Sequence, residues 1–348
     1  MNQGSSVTVA SVEALERGSS GEDRATITAY LDYLASYRDF APSTIRGYST
    51  DLARIARFMR SRGVSLIATT VEDVRALVAS ETRRGLAAAS VNSEIYRLRS
   101  LSRYLRTVGR ATEDPTRGVR LQPEPDRLPF VLTRAEVEAL LDIRGDGFPQ
   151  ARDRLLLELL YATGARISEA AAIDVEQIGD DGTVTLRGRE GIERAAFLTP
   201  SARLALARYL PLREALLKHF APNGWTTRKE SLHGTDSARA LFLDQRGGRL
   251  SQRGALSLVH QRASAALSEK HVTPRMIRDT FAVDLLNAGA PVIVVKELLG
   301  YTKASATKRY QRLAVEPLRD GLVAAHPHGI DNEKPRQEPK KGSAHAIA

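Results

Sequence analysis

Apolar residues recur at helical spacing from about residue 24 to residue 110. Ile27, Tyr30, Leu31 and Leu34 make one stripe at steps of three and one. Ile45, Tyr48, Leu52, Ile55 and Met59 make a second, and Pro42-Ser43 just ahead of it is a helix-start signal. Thr70-Val71-Glu72-Asp73 has the form of a capping box, in which the Thr side chain and the acid three residues on satisfy each other's backbone N–H. It predicts a third helix. A fourth opens at Ser90, with Val91, Ile95, Leu98, Leu101 and Leu105 facing inward. Four helices joined by short loops predict a compact all-α domain over residues 23–112, after a Ser- and Gly-rich flexible tail at 1–22.

The periodicity breaks at 113–129, where Pro115, Pro123, Pro125 and Pro129 punctuate mixed charge and predict a linker. A second domain is expected over 130–325. Thr133-Arg134-Ala135-Glu136 is another capping box. Residues 152–162 are apolar enough for a buried helix. Thr183–Leu186 and Arg194–Leu198 alternate as strands and flank Gly188–Gly191, a hairpin. A helix over 201–218 follows, then a polar loop over 221–237, a short strand at Leu241–Leu243 and a Gly247-Gly248 turn. Helices are expected through most of 252–324. Residues 326–348 are polar and predict a disordered tail. The fold class expected is mainly α with a small antiparallel β element.

Composition narrows the function. The 348 residues contain no cysteine, which excludes thiol nucleophiles, disulfide frameworks and zinc–cysteine sites. No apolar run reaches membrane-spanning length and the N-terminus has no secretory pattern, so a cytoplasmic protein with no membrane partner is expected. The formal net charge is +10, and 42 of the 51 basic residues are Arg. That balance favours a polyanionic partner, though a merely basic protein has the same composition. Arg99, Arg103, Arg106 and Arg110 follow at steps of four, three and four on the fourth helix. The stripe is either a solvated face or an edge that contacts phosphates.

The candidate chemistry lies in arginines and tyrosines. No Gly-rich nucleotide loop and no HExxH pair is present. In Leu159-Leu160-Tyr161-Ala162-Thr163-Gly164-Ala165-Arg166-Ile167-Ser168-Glu169-Ala170 an Arg emerges beside a buried helix and needs an anionic partner. Glu169 and a phosphate are the two candidates. In Thr273-Pro274-Arg275-Met276-Ile277-Arg278-Asp279-Thr280-Phe281 two cations stand three residues apart near a helix N-terminus, where the macrodipole disfavours them unless an anion joins them. Two solvated arginines are the other reading.

These segments, with Leu298-Leu299-Gly300-Tyr301-Thr302 and Thr307-Lys308-Arg309-Tyr310, resemble the tyrosine recombinase family, also called the phage integrase family. ATGARISEA resembles its first arginine motif. RMIRDTF followed by LLNAGAPVIVVKELLGYTKASATKRY resembles its second, with nine residues from Tyr301 to Tyr310. FLDQRGGRLS at 242–251 resembles the stretch between the motifs, and DFAPSTIRGYSTDLARIARFM at 39–59 resembles the N-terminal core-binding domain. The resemblance covers about residues 24–320.

It implies a helical, SAM-like core-binding domain and a mixed α/β catalytic domain that together clamp double-stranded DNA. It implies a site-specific recombinase working through a 3′-phosphotyrosyl intermediate, with no metal, cofactor or ATP. Tyr310 would be the nucleophile, Arg166 and Arg278 would hold the non-bridging oxygens, and Glu169 would orient Arg166. Arg99, Arg103, Arg106 and Arg110 would then lie on DNA. A homotetramer on paired DNA sites is implied, with partner recombinases as one variation, and Leu313–Ala325 would supply a docking helix. The short N-terminal extension leaves no room for an arm-binding domain, as in the Xer and transposon types. Three positions depart from the family pattern. Arg189 stands in the hairpin where a Lys is usual, Arg275 where His or Lys is usual, and Tyr301 where His or Trp is usual. Each keeps a hydrogen-bond donor and none is an easy proton shuttle. The departures favour a mobile-element integrase or transposase. The alternatives are a catalytically weak or partner-dependent accessory subunit, and a topoisomerase or telomere resolvase of the same chemistry.

Overall fold

The computed structural model describes residues 21–125, 128–188, 191–220, 236–268, 270–301, 307 and 310. The chain divides into two compact units, Met1–Asp126 and Arg127–Ala348.

The first unit is built from α1 (Gly21–Ser36), α2 (Pro42–Ser61), α3 (Val71–Arg83) and α4 (Ala88–Thr107). The inward stripes read from the sequence form its core: Ile27, Leu34, Leu52, Ile55, Met59, Val91, Ile95, Leu98 and Leu101 are all buried. The Thr70 capping box forms as expected, with Thr70 Oγ1 accepting from Asp73 N and Asp73 accepting from Thr70 N. Buried polar groups find partners. Leu66 N donates to the buried Asp23 carboxylate at 2.8 Å, and Tyr30 Oη donates to Ser100 Oγ at 2.7 Å. Tyr30 also packs against the rings of Tyr33, Tyr48 and Tyr104. The first part of the proline-rich stretch packs on α4, where the Asn92 amide exchanges two hydrogen bonds with the Gln122 backbone.

The arginine stripe on α4 needs one correction. The helix ends at Thr107, and Gly109 (φ 74°) turns the chain before Arg110. Arg110 therefore leaves the stripe and approaches Thr26 and Glu22 on α1. Arg99 donates to the Val119 carbonyl at 2.7 Å and lies near the Tyr96 ring. Arg103 and Arg106 are exposed.

The second unit contains α5 (Arg134–Leu141), α6 (Phe148–Thr163), α7 (Ile167–Ala171), β1 (Thr183–Arg187), β2 (Glu193–Phe197), α8 (Pro200–Phe220), α9 (Gln252–Ala266), α10 (Pro274–Asn287) and α11 (Val292–Leu299). The Thr133 capping box starts α5. The apolar α6 is the centre of the core, with Leu155, Leu156, Leu157, Leu159 and Leu160 buried. β1 and β2 pair antiparallel, Val184 opposite Ala196 and Leu186 opposite Arg194. The strand expected at Leu241–Leu243 does not form. Ala240 bridges Asp174 and Leu243 bridges Arg249 as isolated pairs, and the segment between them is buried. Backbone groups meet part of it, with Leu241 N donating to Ile173 O and Leu250 N to Phe242 O, and side chains meet the ends, Arg213 donating to Ala240 O and Arg152 to Leu243 O. Phe281, Val283, Leu286, Val295, Leu299 and Tyr310 make a smaller separate core around α10 and α11. The expected docking helix Leu313–Ala325 and the C-terminal tail lie outside the described residues, as does the 221–235 loop.

Candidate active site

The junction of α6 and α7 forms one wall. Gly164 closes α6 in the left-handed region (φ 57°), which glycine reaches without a Cβ penalty. A Cβ there would stand 2.4 Å from the Phe281 ring, so a glycine is what lets α10 approach this closely. The Gly164 carbonyl accepts from Arg278 Nη1 at 2.6 Å.

Two residues on, Arg166 caps α7. Its backbone N–H donates to Glu169 Oε2 at 2.9 Å and its guanidinium bonds Glu169 Oε1. The Glu169 side chain is 2% exposed, and its Oε2 also accepts from Arg194 Nη2 at 2.9 Å. Burial pushes the Glu169 carboxyl up, but the Arg166 N–H and the Arg194 and Arg166 guanidinium groups outweigh it and hold the group below its ordinary value. The two candidate partners of Arg166 are thus not exclusive. Glu169 holds one edge of the guanidinium while 34% of the side chain stays open.

Sequence reasoning missed Arg194. It faces inward on β2 opposite the buried Leu186, and its side chain is 9% exposed. Its Nη1 donates to Leu298 O at 2.5 Å, which ties the hairpin to the end of α11. Burial lowers its pKa against the pull of Glu169, and the nearby Arg278 and Arg166 charges lower it further. An Arg at a core-facing strand position was the available signal.

Arg278 enters from the second turn of α10, whose start is fixed by Pro274 and by Thr273 accepting from Met276 N. It is buried. Its guanidinium donates to the carbonyls of Gly164 and, at 2.5 Å, Leu299. Carbonyl dipoles orient a buried cation without neutralising it, so its charge remains available to an anion. Its Cζ lies 5.0 Å from the Tyr301 ring centroid. Burial pushes the Tyr301 phenol up, and the Arg278 charge together with hydrogen bonds to Tyr310 and Arg278 outweighs it, leaving the group below its ordinary value.

The Tyr301 and Tyr310 hydroxyls are 3.0 Å apart, and Tyr310 Oη donates to Asp279 Oδ1 at 2.8 Å. A phenol has one proton, so while Tyr310 directs its proton at Asp279, the bond between the two tyrosines is donated by Tyr301. Tyr310 is fully buried. Burial first, then its partners Tyr301 and Asp279, push its phenol far above the ordinary value.

The structure thus brings together Arg166, Glu169, Arg278, Tyr301 and Tyr310, five of the residues expected to be catalytic or supporting. Arg275 stands apart from this group. Its side chain is 68% exposed, and its Nε lies 3.8 Å from Asp279 Oδ2. Arg189 lies outside the described residues, as does the rest of the hairpin turn at 190. Arg99, Arg103, Arg106 and Arg110 belong to the first unit. Among the described residues no group of three or more His, Asp or Glu side chains is placed to hold a metal ion, and no helix is long and apolar enough to cross a membrane. Chemically, the cluster offers a phenol oxygen beside the Asp279 carboxylate, with Arg166 and Arg194 sharing Glu169 and Arg278 held by two backbone carbonyls. That excess of positive charge suits a phosphodiester.

Residues 131–316 match the phage integrase family, and residues 27–109 match the phage integrase N-terminal SAM-like domain. The tyrosine recombinase XerD of Mycobacterium leprae is 35% identical over 316 residues, covering 86% of this chain and 96% of that protein. The tyrosine recombinase XerC of Bacillus subtilis is 31% identical over 310 residues, covering 87% and 97%. Among solved structures, the XerH site-specific recombinase bound to its palindromic difH substrate aligns with a TM-score of 0.63 at 20% identity, over 82% of this chain and 81% of that one. A lambda integrase tetramer bound to a Holliday junction aligns with a TM-score of 0.62 at 18% identity, over 82% and 76%. At these identities the structural likeness shows the fold.

Proposed function

This chain belongs to the phage integrase family of tyrosine recombinases, enzymes that cleave and rejoin DNA strands, and on that premise we propose that it is a site-specific DNA recombinase whose nucleophile is Tyr310. The observation that carries the assignment is the Tyr310 hydroxyl one hydrogen bond from Tyr301, whose ring lies against the buried Arg278. Tyr310 attacks a backbone phosphorus and releases a 5′-hydroxyl. Arg166 and Arg278 offset the charge that develops on the non-bridging oxygens. Glu169 and Arg194 keep Arg166 in place. Tyr301 donates to a phosphate oxygen once one occupies the site. The phosphotyrosyl bond retains the energy of the phosphodiester, so rejoining to a new strand needs no nucleotide triphosphate. Arg189 sits where the leaving oxygen's proton donor is usual, yet a guanidinium with a pKa above about 12 donates a hydrogen bond rather than a proton. Water or a tyrosine then supplies the proton.

Double-stranded DNA is the partner, and the working assembly is a homotetramer on two sites. The lambda integrase tetramer on a Holliday junction, which has this fold, supports that reading. Arg99, Arg103 and Arg106 are the proposed phosphate contacts of the first unit. The departures at Arg189, Arg275 and Tyr301 support a mobile-element integrase or transposase. Similarity to XerC and XerD proteins supports a second reading, a Xer-type resolvase.

The test is plasmid recombination in EDTA. Two copies of a site enriched by binding from a randomised DNA library are placed on one supercoiled plasmid. The expected result is deletion or inversion between the sites, lost in Tyr310→Phe. Relaxation of supercoils without exchange would instead make the chain a topoisomerase. Matching the enriched site to element ends or to a chromosomal locus separates the two finer roles.

A further inference from the structure

We propose that Asp279 is the general base that takes the proton of Tyr310 as the nucleophile attacks phosphorus. The inference rests on the reading of Tyr310 as nucleophile.

The geometry comes first. Tyr310 Oη donates to Asp279 Oδ1 at 2.8 Å, within the range a proton transfer needs. Asp279 is buried on α10, next to Arg278, so the helix that supplies a phosphate-binding cation also supplies the carboxylate. Arg275 Nε stands 3.8 Å from the other carboxyl oxygen, Oδ2, which leaves Oδ1 to Tyr310.

The chemistry follows from the company Tyr310 keeps. Burial and its neighbours hold its phenol in the neutral form at physiological pH, so the proton must leave during attack. Its hydroxyl donates to Asp279, a carboxylate that only accepts, whereas its bond with Tyr301 joins two hydroxyls, either of which can donate. Arg275, where the family usually has His or Lys, has no lone pair with which to accept a proton. As the Tyr310 oxygen bonds to phosphorus it becomes strongly acidic, and its proton passes to Asp279 Oδ1. The bond between phosphorus and the 5′ oxygen breaks, and that oxygen takes a proton from a separate donor. In the rejoining step the 5′-hydroxyl attacks phosphorus and the protonated Asp279 returns its proton to the departing Tyr310 oxygen.

The full-length protein is tested under single turnover in EDTA, on a nicked suicide duplex carrying the library-enriched site. The same duplex is made with a bridging sulfur in place of the 5′ oxygen. Sulfur leaves without a proton, so it bypasses the leaving-group donor but not the base. Asp279→Asn is expected to slow adduct formation by about 10²–10⁴-fold on both substrates, with DNA affinity and melting temperature retained. Should Asp279→Asn fold poorly, the pair Asp279→Glu and Asp279→Gln replaces it, and the Glu variant must cleave faster by a comparable factor. Cleavage by Asp279→Asn at the wild-type rate or above would overturn the proposal, since Asp279 would then only restrain Tyr310. Rescue of Asp279→Asn by sulfur would also overturn it, by moving the role to the leaving group. Absence of an adduct from wild type would instead remove the reading of Tyr310 itself, and the base with it.

Discussion

Replacing Glu169 with Gln tests whether one buried carboxylate holds two arginines in place. The side chain keeps its shape and one acceptor oxygen but loses its charge. Glu169 accepts from the Arg166 N–H, the Arg166 guanidinium and Arg194 Nη2. Leaving one partner of a buried pair uncompensated costs about 3–5 kcal/mol. Arg194, at 9% exposure, feels most of that. Arg166 is one-third exposed, so water screens its share to about 0–1 kcal/mol. The retained amide oxygen still accepts one bond, which sets the expected loss near 3 kcal/mol at neutral pH, or roughly 6–12 °C in melting temperature for a unit of this size. The sign with pH is fixed by the depressed Glu169 pKa. Its stabilisation is complete above the ordinary Glu value of about 4.3 and disappears as pH falls through the lower folded value. Urea titrations followed by circular dichroism at a series of pH values therefore show a gap between wild type and Glu169→Gln that is constant at neutral pH and closes in acid. A gap under about 1 kcal/mol at pH 7, or one that persists unchanged in acid, would refute this account of the carboxylate.

Gly164→Ala combines a left-handed φ, about 1–2 kcal/mol, with a clash on Phe281, about 1–3 kcal/mol; thermal melting is expected to show the sum, with adduct formation falling further because the clash displaces the backbone carbonyl that anchors Arg278. Thr70→Ala removes the cap of α3 and is expected to cost about 1 kcal/mol in urea titration while leaving DNA cleavage intact. DNA affinity, measured by fluorescence anisotropy from low to moderate salt, is expected to fall by orders of magnitude as phosphate contacts exchange with counterions, and Arg103→Ala with Arg106→Ala flattens that slope. A slope near zero would remove those arginines from the interface.

The helices were legible because their signals are local. Apolar stripes at steps of three and four put Leu52, Ile55 and Met59 inside, and Thr70 and Thr133 mark helix starts by side-chain chemistry alone. Gly109 carried a readable stop signal that places Arg110 off its helix. Arg275 and Arg278 show the limit of spacing arguments. Three residues leave an angle of about 60° around a helix, and the edge of the buried face falls between them. Arg194 was recoverable from strand alternation. The link from Tyr310 to Asp279 was not, because it joins residues 31 apart through the packing of α10 against α11, which no local pattern encodes. Leu241–Leu243 is apolar enough for a strand and is buried, but its backbone makes isolated bridges on either side and no continuous ladder.

The central claim is that Tyr310 is the covalent nucleophile, and the most direct measurement is mass spectrometry of the trapped adduct. Wild type and Tyr310→Phe are incubated in EDTA with the nicked duplex and digested with protease and nuclease. The account predicts one peptide carrying a 3′-linked nucleotide on Tyr310, absent from the variant. A nucleotide on another residue, or an equal adduct from Tyr310→Phe, would contradict it.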